Sequence, residues 1–327
     1  RKSGHGTLPL AGWDPNAGWE DRYVDSARLP SAENPDAGYL ATANNRPTRD
    51  DEDPFLGVDW IEGYRISRIN DLLAPRDDWD ISSTLHAQLD TVTNAWADLR
   101  EHVLGIGQRS SSAAAFALLR VWDGNMHRHS AAASVFVLWN TEMQRRVALA
   151  RAPLSTAAAL GRGFAPDLVT NSLFAFGRTS HLVRLLRDRP DGWFDDWDEE
   201  MAAALAVADA ILRVQYGDDP SGWEWGTVRP LTLRHPIGER TPMDQVFNIG
   251  PIPWSGDFTT VSQSGATPLE PLGNPSAIAS LRMAVDVGDW DSSRFSLPGG
   301  QSGNPLSPHY GDQLDLWSWG VGCPMPW

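Results

Sequence analysis

Between Ser83 and Val103 the apolar residues Leu85, Leu89, Val92, Trp96, Leu99 and Val103 are spaced 4, 3, 4, 3 and 4 apart. That spacing keeps them on one side of a 3.6-residue helix, so one helix with a single buried face is predicted. Ser82 or Ser83 suits its N-cap and Gly105 its stop. A shorter stripe of Ile66, Ile69 and Leu73 places Arg65 near the start of another helix. Further helices are predicted near 111–122, 130–151, 167–188 and 198–216, with Pro166 and Pro190 punctuating the later ones. Beyond about 223 the pattern changes to short runs separated by Gly and Pro. Thr227-Val228, Phe258-Thr259-Thr260-Val261 and Arg282-Met283-Ala284-Val285-Asp286-Val287 read as strands. Gly38 to Ala43 is strand-like too.

These patterns divide the chain into three zones. Residues 1–60 are irregular, 61–216 are helical and 217–327 are β-rich. An α+β class follows, in which the two ends meet in one sheet-containing core and the helices pack beside it. No internal repeat interrupts this plan.

Composition removes several partner classes. A formal net charge of −15 repels phosphate, which argues against nucleic acid and against an anionic membrane surface. Cys323 is the only cysteine, so no intrachain disulfide forms and neither redox compartment is excluded. No run approaches the ~18 apolar residues of a membrane span. The opening Arg1-Lys2-Ser3-Gly4-His5-Gly6 has no initiator Met and reads as a processed or cut end. Sixteen tryptophans, many in Gly/Pro/Asp-rich stretches, suit pinning of irregular chain onto a core more than lining of a pocket.

Several catalytic templates fail. Gly300-Gln301-Ser302-Gly303-Asn304 lacks the last glycine of a nucleophile elbow and reads as a turn. His127 and His129 have no third metal ligand nearby and read as surface histidines. Asp50-Asp51-Glu52-Asp53 lacks the spacing and central glycine of an EF-hand loop, and by itself is a solvated acidic turn. Asp195-Asp196-Trp197-Asp198 precedes a helix, where acids favour the N-terminus.

The run Asn34-Pro35-Asp36-Ala37-Gly38-Tyr39-Leu40-Ala41-Thr42-Ala43-Asn44-Asn45-Arg46-Pro47 differs. It leads into an Asn-Asn pair and breaks at Pro47. Side-chain amides fixed at such a place offer the N–H donors that oxyanion stabilisation needs. Asn-Asn before X-Pro is equally good turn chemistry. Further on comes Trp60-Ile61-Glu62-Gly63-Tyr64-Arg65-Ile66-Ser67-Arg68-Ile69-Asn70-Asp71-Leu72-Leu73, the helix that Arg65 opens.

This pair of segments resembles the penicillin acylase family of N-terminal-nucleophile (Ntn) hydrolases, in the later part of its β chain. More matches follow in order: Gln88-Leu89-Asp90, Trp122-Asp123-Gly124, Trp223-Glu224-Trp225-Gly226, Leu233-Arg234-His235-Pro236, the turn Gly256-Asp257-Phe258-Thr259-Thr260-Val261, and a C-terminal stretch from Arg282 to Gln313. Each is weak alone. Their number and order carry the resemblance over nearly all the chain.

The resemblance implies part of an αββα core cut from a precursor by autocatalysis. It implies an amide hydrolase that removes an N-acyl group from a small amine, such as a β-lactam nucleus, a homoserine lactone or a lipopeptide. An N-terminal Ser would be the nucleophile and its own α-amino group the base. An α-amino pKa of roughly 7.7–8 suits that role. Asn44 matches the oxyanion-hole amide, and Arg65 the residue that orients nucleophile and substrate; Arg65 also suits a buried structural ion pair. Asp53 matches a ligand of a structural calcium. The departure is that Arg1 is not Ser, so the nucleophile is expected on a companion chain or segment of the same precursor. Export by a signal outside this chain, to the periplasm or the medium, is also expected. The alternative is a binding or scaffold subunit that keeps the fold without the chemistry.

Overall fold

The computed structural model describes residues 10–49, 54–107, 109–165 and 169–326. The described residues between 10 and 63 hold turns and one short 3-10 helix, Ser26–Arg28. Gly38 to Ala43 is not a strand, because no neighbouring chain among the described residues pairs with its backbone.

The middle of the chain is helical. α1 is Tyr64–Leu73, α2 Ile81–Ala87, α3 Asn94–Gly105, α4 Ala113–Arg120, α5 Ala131–Arg151 and α6 Thr156–Ala159. A hairpin of β1 (Arg162–Ala165) and β2 (Val169–Asn171) follows, then α7 (Arg178–Asp188) and α8 (Trp197–Tyr216). The one long helix expected from Ser83 to Val103 is two, α2 and α3. Asp80, not Ser82 or Ser83, caps α2, and Ser83 answers it in a capping box. Arg68 then holds Asp90 through two bonds of 2.9 and 2.7 Å, Val92 bridges to Asn125, and the Thr93 hydroxyl caps α3. Tertiary contacts thus break a helix that periodicity alone continues, yet Leu85, Trp96, Leu99 and Val103 all remain buried. Where a helix was expected from 167, the hairpin stands, with Gly161 at φ +117° turning the chain into it.

α5 is the central rod. Twelve of its residues between Ala132 and Ala148 are buried, among them Ser134, Glu142 and Gln144, because other elements pack on it from several sides. Trp139 donates its indole N–H to the Met201 carbonyl of α8 at 3.1 Å, and Met201, Ala204, Leu205, Ala208 and Leu212 bury along the same contact. Trp96, Trp122 and Phe136 form an aromatic cluster with ring centres 5.0 to 5.6 Å apart.

The last third carries α9 (Trp225–Val228), β3 (Leu231–Leu233), α10 (Asp244–Phe247), β4 (Ile249–Ile252), β5 (Ser264–Gly265), β6 (Ala277–Ile278), β7 (Arg282–Ala284), β8 (Arg294–Ser296), α11 (Leu314–Trp319) and β9 (Cys323–Pro324). Among the described residues the strands form three two-stranded sheets and one three-stranded sheet, β7-β8-β9, with every pairing antiparallel. The α+β class holds, with only small pieces of sheet. Two expected strands are not strands. Thr227 and Val228 close a helical turn, and residues 258–261 form a turn in which the Asp257 side chain accepts from both the N–H and the hydroxyl of Thr259. The third is shorter than expected, ending at Ala284.

This irregular third is sewn to the helices by the short motifs. Arg282 donates to the Gln88 carbonyl at 2.6 Å, and Gln88 returns a side-chain bond to the Met283 carbonyl at 2.9 Å. Ser262 N–H donates to the Asp90 carbonyl, Gly256 N–H to that of Met126, and the Trp225 indole to that of Gly256. A small second core of Leu231, Trp254 and Trp317 sits beneath, with the two indoles stacked at 4.6 Å. Trp223, Trp225 and Trp254 are buried and pin irregular chain as expected, whereas Trp13 and Trp290 are exposed. No helix among the described residues is long and apolar enough to cross a membrane.

Candidate active site

Asn44 adopts a left-handed backbone, φ +60°. For most residues that conformation costs roughly 1–2 kcal/mol, and asparagine tolerates it best after glycine. The backbone carbonyl of Asn44 accepts from Ile61 N–H at 3.1 Å. Its side-chain oxygen accepts from Arg65 Nη2 at 2.9 Å, and the same nitrogen donates to the Ala43 carbonyl at 2.9 Å. Both oxygens of Asn44 are thus held by the segment that opens α1.

This arrangement fixes the amide's orientation. A guanidinium has donors and no acceptor, so the carbonyl end of Asn44 faces Arg65 and the Nδ2 end faces away. Asn44 is exposed while Ala43 and Arg65 are buried, so a donor group is presented at the surface from a buried support. Burial pushes the Arg65 guanidinium below its ordinary value. Among the described residues its partners are neutral oxygens rather than a carboxylate.

Asn45 does a different job. Its Oδ1 accepts from Ala43 N–H and its Nδ2 donates to the Arg46 carbonyl, each at 3.0 Å. Both ends of that amide are consumed by the turn before Pro47, and that turn chemistry rests on Asn45.

A cavity of about 390 Å³ is bordered by Ile61, whose N–H holds the Asn44 carbonyl, and by Glu62. Phe176 and Phe258 stack in its wall at 5.0 Å, and Gln144, Arg229 and Asp257 supply its polar groups. Desolvation raises the half-buried Asp257 carboxyl, and burial lowers Arg229 to about 10. Burial likewise pushes Glu62 up to about 7, against the hydrogen bond it accepts from Ser180 N–H at 2.7 Å. Of these four groups only Asp257 stands out in the sequence, and there as part of a turn. Glu62 looks like a residue of its own helix start, and its partner is 118 positions away.

Asp53 lies outside the described residues. Among the described residues no group of three or more His, Cys, Asp or Glu is placed to hold a metal ion. His127 and His129 lie with ring centres 5.3 Å apart, and His129 pairs with Glu224 at 3.0 Å. Asp196 caps α8. Residues 300–304 are irregular chain with bends at Gln301 and Gly303, and the turn follows at 305–306.

The mixed helical and small-sheet fold thus presents one anchored amide, with a cavity bordered by the segment that anchors it. The chain belongs to the penicillin amidase family, whose description matches residues 1–327. It is similar to the penicillin acylase 2 proenzyme of Pseudomonas sp. strain SE83, 32% identical over 334 residues, covering 98% of this chain and 40% of that protein. It is also similar to the acyl-homoserine lactone acylase QuiP of Pseudomonas aeruginosa, 27% identical over 351 residues, covering 97% of this chain and 40% of that one. The fold matches a solved thermostable penicillin G acylase from Alcaligenes faecalis with a TM-score of 0.54 at 22% identity, over 92% of this chain and 56% of the other. The chain therefore spans about two fifths of the length of both Pseudomonas relatives.

Proposed function

We propose that this chain is one part of an amide hydrolase that cleaves an N-acyl group from a small amine through an acyl-enzyme, with the nucleophilic Ser on a companion segment of the same precursor. The observation that carries the reading is the Arg65–Asn44 bond, which aims a side-chain amide outward. In the reaction the Ser hydroxyl adds to the amide carbonyl and its proton passes to the Ser α-amino group. The carbonyl oxygen becomes an oxyanion, to which Asn44 Nδ2 donates. Collapse expels the amine, which takes up the proton, and water then releases the acyl group by the same path. Arg65 holds Asn44 and orients the site.

The names of the two Pseudomonas relatives support β-lactam or homoserine-lactone amides as the substrate class. Export to the periplasm or the medium belongs to the same reading, as does a structural calcium with Asp53 as a ligand, supported by the acidic run 50–53. No chemical step is routed through the metal.

The test is co-production of this chain with the remaining precursor, followed by intact-mass analysis and an assay against a panel of N-acyl homoserine lactones and penicillins. Hydrolysis by the assembled protein alone, and none by this chain alone, is expected. Equal hydrolysis by the separate chain, or none by an assembly with a free N-terminal Ser, would refute the proposal.

A further inference from the structure

We infer that Glu62 is a positioning residue for the Asn44 amide, pinning the segment that grips Asn44 to the N-terminus of α7. The inference rests on Asn44 being the oxyanion donor.

α7 begins after Gly177, which supplies no side-chain cap. The first N–H groups of a helix lack partners within the helix and attract an acceptor, best a negative one. Glu62 Oε2 meets that need at Ser180 N–H, the third residue of α7, at 2.7 Å. The cap comes from a segment far away in the chain, so the bond ties two elements together and not just one helix end.

What Glu62 ties down is the grip on Asn44. On one side of it Ile61 N–H holds the Asn44 carbonyl at 3.1 Å. On the other side Arg65 holds the Asn44 side-chain oxygen at 2.9 Å. The two donors bracket Glu62 in sequence and both end on one asparagine. Between them Gly63 starts α1 with no side-chain cap of its own. The Glu62 carboxylate ties residues 61–65 to α7, beside Tyr64, which is buried in the main core. Release of that anchor moves both donors together and turns the amide away from the oxyanion.

The test uses the complete processed enzyme, made with a ready-formed Ser terminus so that maturation does not interfere. Kinetics are measured for Glu62→Ala, Asn44→Ala and the double variant. Glu62→Ala is expected to lower kcat about 10- to 100-fold with KM changed less than about twofold, as misplacement of a group acting in the transition state does. Glu62→Gln keeps the length and the acceptor oxygen, and is expected to recover most of that loss. In the Asn44→Ala background Glu62→Ala is expected to cost nothing further, because the group it positions is gone. Additive losses in the double variant overturn the inference. So does an undiminished kcat in Glu62→Ala when Asn44→Ala is impaired. A full kcat in Asn44→Ala overturns the reading of Asn44 itself, and the inference with it. If Glu62→Ala does not accumulate, Glu62→Asp, one methylene short, is compared with Glu62→Gln. Asp is expected to be the worse of the two, and the reverse order overturns the pin.

Discussion

Arg65 reaches Asn44 across 21 positions of sequence and bonds its side-chain oxygen at 2.9 Å. Since the guanidinium can only donate, the bond decides which end of the Asn44 amide is free. Arg65→Ala is expected to let the amide rotate and to lower kcat about 10- to 100-fold. Arg65→Lys keeps a donor nitrogen but loses the planar guanidinium that sets its direction toward Asn44 and Ala43, and is expected to fall between wild type and Ala. Kinetics of matured variants check this; a Lys variant worse than Ala would show that the role is not orientation.

Glu62 gives a pH dependence of stability with a definite sign. Its folded value of about 7 lies above the ordinary 4.5. Below 4.5 both states hold the proton and the group contributes no penalty. From there to about 7 the unfolded chain ionises while the folded one resists, so stability is lost as pH rises, and above 7 the loss is complete. Desolvation is the main cause, with Asp257 adding repulsion, while the Ser180 and Thr179 hydrogen bonds oppose it. Arg178, which faces Glu62 electrostatically, and the buried Tyr64 are the other charged or titratable neighbours. Glu62→Gln does not titrate. Melts of wild type and variant at pH 5 and pH 8 are therefore expected to differ more at pH 8, with Gln the more stable there. A difference that shrinks with rising pH contradicts the assignment.

Gly256 explains why the Gly-Asp-x-x-T-V turn begins with glycine. Its φ is +84°, and a Cβ there would lie 2.2 Å from the Ser262 carbonyl oxygen. That oxygen belongs to the backbone and cannot swing aside. Gly256→Ala is expected to cost about 2 kcal/mol or more, and to loosen the Gly256–Met126 and Trp225–Gly256 bonds that join the C-terminal third to the helices. Chemical denaturation measures it; a change under about 0.5 kcal/mol, the range of ordinary surface substitutions, would show that the turn relaxes freely.

Much of the helical layer was legible because its signals are local. α5, α8 and the start of α1 follow from apolar spacing and from capping residues such as Ser130 and Asp196. The break between α2 and α3 was not, because it depends on Arg68 meeting Asp90, a pairing that periodicity cannot express. The supposed strands at 227–228 and 258–261 carry β-forming residues, yet side-chain bonds within the Asp257 turn outcompete a ladder there. For the site, the Asn-Asn-x-Pro and Arg-Ile patterns picked out Asn44 and Arg65, but not that they touch. Glu62 was unreadable, since its partner is chosen by tertiary packing.

The sharpest prediction separates Asn44 from Asn45. If Asn44 Nδ2 donates to the oxyanion, it acts where negative charge is greatest, so Asn44→Ala should lower kcat roughly 10²–10³-fold, with KM little changed. Autoprocessing passes through a similar tetrahedral intermediate, so the variant needs a ready-made Ser terminus. Asn44→Ala should hardly alter the turn, because the bonds that build it belong to Asn45: Ala43 N–H to Oδ1 and Nδ2 to the Arg46 carbonyl. Alanine does bear the left-handed backbone at φ +60° less well than asparagine, a cost of about 1 kcal/mol that shows in the melt. Asn45→Ala removes both turn bonds and is expected to lower the melting temperature while kcat of the folded fraction stays near wild type. The two variants therefore move different observables, kcat for one and chiefly Tm for the other. Active-site-titrated kinetics beside thermal melts read both. An Asn44→Ala enzyme within about threefold of wild-type kcat, far short of the loss of an oxyanion donor, would end the assignment. The reverse pattern, with Asn45→Ala the catalytic lesion, would move the donor one residue along and leave Arg65 as a purely structural clamp.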